Sequence, residues 1–138
     1  MNYDAIPLGY SEQQLQLSRK ELEGLMDRIP GIGSILITNN VADVVLDLLE
    51  PGIHAFKLST MTGSLVDLGE YIARESDQQH GQFAIVENTD GRVISLRINA
   101  DLVMTCISNR RSNLGMVLSA GRTTADALAK ILTAPDTD

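Results

Sequence analysis

Apolar residues recur in steps of three and four along two segments near the ends of the chain. One segment begins at Ser11-Glu12 and ends before Pro30-Gly31, and the other begins after Ser112 and ends before Pro135. Such steps place apolar side chains on one face of a helix, and Ser112 is the expected N-cap of the second helix. The helical positions are Leu15, Leu22, Leu25, Met26 and Ile29 in the first helix, and Leu114, Val117, Leu118, Gly121, Ala125, Leu128, Ile131 and Leu132 in the last.

A middle helix is predicted over residues 60–75, with Ser59 or Thr60 as its cap. Its apolar stripe consists of Met61, Leu65, Leu68 and Ile72. Gly63 and Gly69 interrupt it, and each glycine inside a helix costs about 1 kcal/mol relative to alanine. The close approach of another backbone is the usual compensation. That backbone belongs either to a second copy of the chain or to the chain's own sheet, and the pattern favours neither.

Strands are predicted where apolar residues alternate or run together. Three of them follow one another in residues 82–107: Gln82–Glu87, a run around Ile94, Leu96 and Ile98, and Leu102–Ile107. The turn residues Asn88–Gly91 separate the first two, and Gly91 can adopt positive φ at little steric cost, which favours a tight reversal. The third run is apolar on both faces, which is typical of a central strand. A further short strand is predicted over residues 33–38.

The segment 41–50 fits two structures. Val41, Val44, Val45, Leu48 and Leu49 follow helical spacing, with Asn40 as a cap and Pro51-Gly52 as a stop. The same Val-rich residues are also typical of a strand. Periodicity favours the helix, in which case residues 53–58 would supply the next strand.

Composition indicates one domain with a mostly aliphatic core. The 138 residues include 43% hydrophobic and 4% aromatic residues and no Trp. We expect a flexible tail over residues 1–11, a single domain over 12–133 and a C-terminal tail over 134–138. No signal peptide or apolar run of membrane-spanning length is evident. One Cys forms no internal disulfide, so the expected location is cytoplasmic, without membrane insertion.

The net charge of −7 disfavours nucleic acid as a partner. The charge is uneven, because the stretch from Arg92 to Arg122 holds five Arg and one acidic residue, Asp101. These arginines either form a basic patch for an acidic partner or are simply solvated side chains.

No set of residues suited to catalysis emerges. His54 and His80 have no metal-ligating neighbour at a suitable spacing, and Cys106 lies in the predicted central strand as a small buried hydrophobe. We therefore expect no enzyme activity, cofactor or metal site. A small-molecule sensor or a purely structural scaffold remains the alternative. A ligand pocket usually combines apolar walls with a few converging polar groups. The predicted strands are mostly aliphatic, and Ser95 and Thr105 are their obvious polar residues, which argues for a filled core.

Three stretches carry a resemblance to a known family. They are ELEGLMDRIPGIGSILIT (21–38), LSTMTGSLVDLGEYIARES (58–76) and NRRSNLGMVLSAGRTTADALAKIL (109–132). Together with the order of predicted elements they resemble the Roadblock/dynein light-chain family, over residues 12–133. Residues 39–57 depart from the family pattern, because they are longer and more acidic than its short hairpin.

The resemblance implies an α+β fold: a five-strand antiparallel sheet in the order helix-strand-strand-helix-strand-strand-strand-helix. The middle helix would cover one face and the terminal helices the other. It also implies a homodimer in which middle helices pack together and edge strands can join into one continuous sheet. The expected interface residues are Met61, Leu65, Leu68, Gly69, Ile72, Phe83 and Ile85.

The family likeness further implies a non-enzymatic homodimeric adaptor for a small Ras-like GTPase. Bacterial relatives act in gliding motility and polarity, so signalling of this kind is expected. The adaptor would either stimulate GTP hydrolysis by positioning the GTPase's own switch residues or anchor the GTPase. Arg110 and Arg111, in the loop before the last helix, are the expected partner-binding residues.

Overall fold

The computed structural model describes residues 9–133, which form three helices and five strands. The elements are α1 (Glu12–Arg28), β1 (Ile32–Asn39), β2 (Val44–Leu48), α2 (Ala55–Glu75), β3 (Ala84–Glu87), β4 (Gly91–Arg97), β5 (Leu102–Asn109) and α3 (Leu114–Ile131). The element order is the one that the resemblance implied. Residues 1–8 and 134–138, which make up most of the two predicted tails, lie outside the described residues.

The five strands form one antiparallel sheet in the order β2-β1-β5-β4-β3. Helices α1 and α3 lie together on one face, where Gln14 Nε2 donates to the Ile131 carbonyl (3.0 Å) and Arg28 Nη2 donates to Thr124 Oγ1 (3.2 Å). Helix α2 covers the other face. This confirms the predicted sandwich, with β5 central and β2 and β3 at the edges.

The main core lies between the sheet and the helix pair α1/α3. In the sheet, Ile35 is opposite Cys106, which in turn is opposite Ile94, and the adjacent row of the same face contains Ile37 and Met104. Against these rows pack the following helical side chains: Leu22, Leu25, Ile29, Val117, Ala125 and Leu128. The core is aliphatic, as the scarcity of aromatic residues predicted.

The prediction of a helix over residues 41–50 is wrong, because β2 occupies its centre. Leu46 pairs with Ile37 in an antiparallel register, and Val45 and Leu46 are buried. The Asn39 side chain accepts hydrogen bonds from the backbone N–H groups of Val41 and Asp43, which closes the β1–β2 turn. Strand pairing and burial thus outweigh helical spacing. Residues 53–58 form no strand, because α2 begins at Ala55.

The predicted N-terminal caps of α2 and α3 are wrong, whereas the predicted start of α1 at Ser11-Glu12 is confirmed. Ser11 caps α1 in a reciprocal capping box with Gln14. The cap of α3 is Asn113, whose side chain accepts from Met116 N, whereas the predicted cap Ser112 is buried and donates to the Asn109 carbonyl. Helix α2 begins several residues before its predicted caps, Ser59 and Thr60.

Tyr10 belongs to the packed fold although it falls in the predicted N-terminal tail. Its side chain is buried in the main core. Burial, together with the nearby charge of Asp101, raises the pKa of its hydroxyl. The fold therefore includes residues just before α1.

Because the thiol of Cys106 is buried, the fold should lose stability at alkaline pH. Complete burial raises the pKa of its thiol from 9.0 to about 12. Between these values the unfolded chain releases the proton and the folded chain keeps it. The contribution of the Cys106 thiol to the free energy of unfolding is full below pH 9. Above pH 9 we expect it to fall by about 1.4 kcal/mol per pH unit.

Urea titrations of wild type and Cys106→Ala between pH 8 and 11 measure this effect, because other groups titrate alike in both proteins. The stability advantage of wild type should shrink as pH rises. An advantage that stays constant would refute the assignment.

Candidate functional site

Helix α2 turns its larger apolar side chains away from the sheet. Its buried residues are Ser59, Thr62, Val66 and Ala73, which are mostly small. On the opposite side, Met61 is 66% exposed, Leu68 55% and Ile72 56%. The predicted apolar stripe is therefore an exposed surface of this chain. Tyr71, which the sequence reasoning missed, is exposed beside it.

An open groove runs between this side of α2 and strand β3. We call it the α2–β3 groove. Leu65, Leu68 and Ile72 line it from the helix, and Phe83 and Ile85 line it from the strand side. Its remaining lining residues are Gly69, Ala73, Gln78, His80, Gly81, Gln82 and Ala84. Six of the seven predicted interface residues thus border this groove, with Ile85 at the sheet edge, where its side chain lies on the α1/α3 face in the row of Ile94. Met61 is exposed on the same helix as the α2 residues of the groove.

Strand β3 borders the groove and forms one edge of the sheet. It pairs with β4, with Ile85 opposite Ile94, and its other side is an edge. Ile85 and Val86 are partly exposed. An edge strand presents backbone N–H and C=O groups that can pair with another strand. The groove therefore joins an apolar surface to a row of backbone hydrogen-bonding groups.

Charged residues outside the lining of the groove tie α2 to the sheet. Arg97 of β4 contacts Glu70 (Nε to Oε1, 3.5 Å) and Asp67 (Nη2 to Oδ1, 3.8 Å). On the α3 side of the sheet, the Arg122 guanidinium lies 5.4 Å from the centre of the Phe83 ring. These contacts hold α2 and Phe83 in place beside the groove.

The sheet of this chain does not explain the two glycines of α2. A Cβ atom added at Gly69 would lie 4.0 Å from Ala84 Cβ, and one at Gly63 would lie 3.9 Å from Ala42 Cβ. Both distances are ordinary van der Waals contacts. The sequence left two explanations for Gly63 and Gly69, close packing on the chain's own sheet or on a second copy. These distances give no support to the first explanation.

Arg110 and Arg111 lie outside the groove, in the β5–α3 loop. Both are exposed, and Arg110 Nη1 donates to the Thr89 carbonyl of the β3–β4 turn at 2.6 Å. Arg92 lies beside the same loop, because its Nη1 donates to the Ser112 carbonyl (3.3 Å) while its Nε pairs with Glu87 (2.8 Å). Arg97 lies under α2 and Arg122 lies on α3, so these two arginines do not join Arg110 and Arg111 in one patch.

Neither a metal cluster nor a membrane-spanning helix is found within residues 9–133. The polar pocket candidates Ser95 and Thr105 are buried and hydrogen-bond each other, with 2.8 Å between their hydroxyl oxygens. Their polar atoms therefore satisfy one another.

Phe56 is a second surface residue that sequence reasoning missed. It is 80% exposed on the first turn of α2, in a segment that was assigned to a strand. A correct start for α2 would have placed it on the helix surface.

Models of protein families give no match to this sequence, and a comparison with curated proteins gives none either. Solved structures do match. MglB of Myxococcus xanthus superimposes with a TM-score of 0.80 at 15% identity, covering 96% of this chain and all of that one (100%). A Roadblock/LC7 domain from Streptomyces avermitilis gives 0.75 at 14% identity, covering 81% of this chain and 94% of that one. This chain has the Roadblock/LC7 fold.

A third solved structure with the Roadblock/LC7 fold is described as MglB with a tetrameric arrangement. It gives a TM-score of 0.76 at 15% identity and covers 86% of this chain and 89% of that chain. Identities this low establish the shared fold.

Proposed function

We propose that this protein is a non-enzymatic, homodimeric, cytoplasmic adaptor that binds a small Ras-like GTPase and either stimulates its hydrolysis or anchors it. The observation that carries the proposal is the α2–β3 groove, an exposed apolar surface beside an open sheet edge. The choice of a GTPase as the partner comes from the family resemblance of the sequence and from the shared fold.

A second copy of the chain fits the groove on physical grounds. Monomeric proteins rarely expose large contiguous apolar patches, and such patches mark interaction sites. A two-fold axis beside β3 would bring two antiparallel edge strands together and place each α2 against its counterpart. The tetrameric arrangement named for one MglB structure is consistent with self-association in this fold.

An affinity pull-down from the native lysate, with and without a non-hydrolysable GTP analogue and read by mass spectrometry, tests the GTPase part. Recovery of a Ras-like GTPase that requires the analogue supports a regulator of the active state. Recovery regardless of nucleotide supports an anchor. If no GTPase is recovered under either condition, the proposal is refuted.

Reversing the charge of Arg110 and Arg111 together should weaken GTPase binding about tenfold or more, as loss of charge complementarity at an interface does. Both side chains are exposed, and the one hydrogen bond that is lost, from Arg110 to the Thr89 carbonyl, lies at the surface, so the fold should be retained. The matched control reverses Arg19 and Lys20, which are exposed on α1. Biolayer interferometry with the recovered GTPase measures the effect. Equal affinity in both double variants would remove this loop from the interface.

A further inference from the structure

We propose that α2 is a conditional element of the fold, which opens readily in the isolated chain and becomes firmly held when a second copy covers its outer face. The proposal rests on the dimer in the proposed function and adds a consequence to it.

The sequence makes α2 a weak helix. Its N-cap residue, His54, makes no side-chain capping bond among the described residues, and the first turn contains no acidic residue. Gly63 and Gly69 lower helix propensity further. In contrast, α1 has a complete capping box, and Asn113 caps α3. Helix α3 also contains two glycines and no acidic residue in its first turn, so the missing side-chain cap is what distinguishes α2, the helix with the largest exposed apolar surface.

The sheet holds α2 through small side chains. Two of its buried residues, Ser59 and Thr62, form hydrogen bonds within their own helix and not with the sheet. Ser59 Oγ donates to the Phe56 carbonyl at 2.8 Å, and Thr62 Oγ1 donates to the Leu58 carbonyl at 3.0 Å. The other helices bury leucines, such as Leu25 of α1 and Leu128 of α3. Less apolar area is therefore removed from water where α2 meets the sheet.

The connection from α2 to β3 also has an unfavourable backbone. Asp77 (φ 57°) and Gln79 (φ 69°) adopt the left-handed conformation, which non-glycine residues rarely adopt. Backbone bonds from Asp77 N to the Arg74 carbonyl (3.1 Å) and from Gln78 N to the Ala73 carbonyl (2.8 Å) hold this turn to the last turn of α2. Opening of the end of α2 would release both conformations.

A second copy of the chain would supply additional apolar contacts that hold α2 in place. Burial of the outer apolar residues Leu68 and Ile72 adds the contacts that the sheet side lacks. Regions with few buried apolar contacts open locally at low free energy, and ligands that cover them raise their protection. The amides of α2 should therefore respond to dimerisation more than those of β5.

Hydrogen exchange read by mass spectrometry tests the proposal on the full chain. The samples are wild type at a concentration at which it is dimeric and the monomeric variant Leu68→Glu. In the monomer, α2 amides should exchange about 100-fold or more faster than β5 amides, and in the dimer α2 protection should rise about tenfold or more. Equal protection of α2 and β5 in the monomer would overturn the proposal, as would α2 protection that is unchanged between monomer and dimer.

Gly63→Ala in the Leu68→Glu background provides an independent check. The added methyl has space, and alanine favours the helix, so α2 protection should rise about fivefold. No change in α2 protection counts against local opening.

A wild-type chain that is monomeric at every concentration overturns the dimer and, with it, the coupling. The claim that α2 opens readily in the isolated chain is then tested on the monomer alone. Faster exchange of α2 amides than of β5 amides supports that claim, and equal protection refutes it.

Discussion

Leu68→Glu should convert the dimer into a monomer, raising its dissociation constant by about 100-fold or more. Leu68 lies in the middle of α2, is 55% exposed and lines the α2–β3 groove. A central apolar anchor typically contributes about 2 kcal/mol or more, and a two-fold interface contains it twice. Light scattering during size-exclusion chromatography, over a dilution series, measures the change.

Leu17→Glu is the matched control. Leu17 is 44% exposed on α1, on the opposite side of the sheet from α2. The substitution is chemically the same, and both sites are exposed, so both variants should fold as the wild type does. We expect Leu17→Glu to remain dimeric. Dissociation of both variants alike, or of Leu17→Glu alone, would place the interface elsewhere.

Gly91→Ala should destabilise the fold by about 3 kcal/mol. A Cβ atom at Gly91 would overlap the Ser108 carbonyl oxygen and lie 2.9 Å from Asn109 Cα. Both atoms belong to the backbone of β5, so β4 and β5 must separate locally, and such overpacking typically costs about 1–3 kcal/mol or more. Urea denaturation at neutral pH measures the loss.

Gly121→Ala is the control for this prediction. Apart from its own helix backbone and its chain neighbours, no atom lies within 4 Å of the position that its Cβ would take in α3. Alanine should therefore stabilise that helix by about 1 kcal/mol. A Gly91→Ala protein as stable as wild type would show that β4 and β5 adjust without cost, contrary to the geometry.

The sequence predicted the correct glycine at the β3–β4 turn for the wrong reason. The suggested reason was access to positive φ, whereas the positive-φ glycines of the described residues are Gly9, Gly31 and Gly52. Gly91 is required by the proximity of β5, a contact between residues 17 positions or more apart. Local turn rules contain no information on such a contact.

Strand β2 shows the same limit. Helical spacing over residues 41–50 is real, yet pairing with β1 and burial of Val45 decide the structure. The three helices and the β3–β4–β5 meander were predictable because their patterns are long or bounded by turn residues. The resemblance supplied the second strand that periodicity misassigned.

The candidate site was predictable as a set of residues, although its orientation was not. Leu65, Leu68 and Ile72 form a stripe that the sequence identified, and such a stripe normally faces a helix's own core. Here the small residues Thr62, Val66 and Ala73 face the sheet instead. A sequence shows that a stripe exists, but which face packs on the sheet depends on the space between the layers.

An isotope-filtered NOE experiment on a one-to-one mixture of labelled and unlabelled chains would detect the proposed dimer interface itself. We predict intermolecular contacts between methyl groups of Leu65, Leu68 and Ile72 and those of the second copy, together with contacts across Ile85 of β3. Intermolecular contacts confined to the α1 and β2 side of the molecule, or none in a concentrated sample, would contradict this prediction.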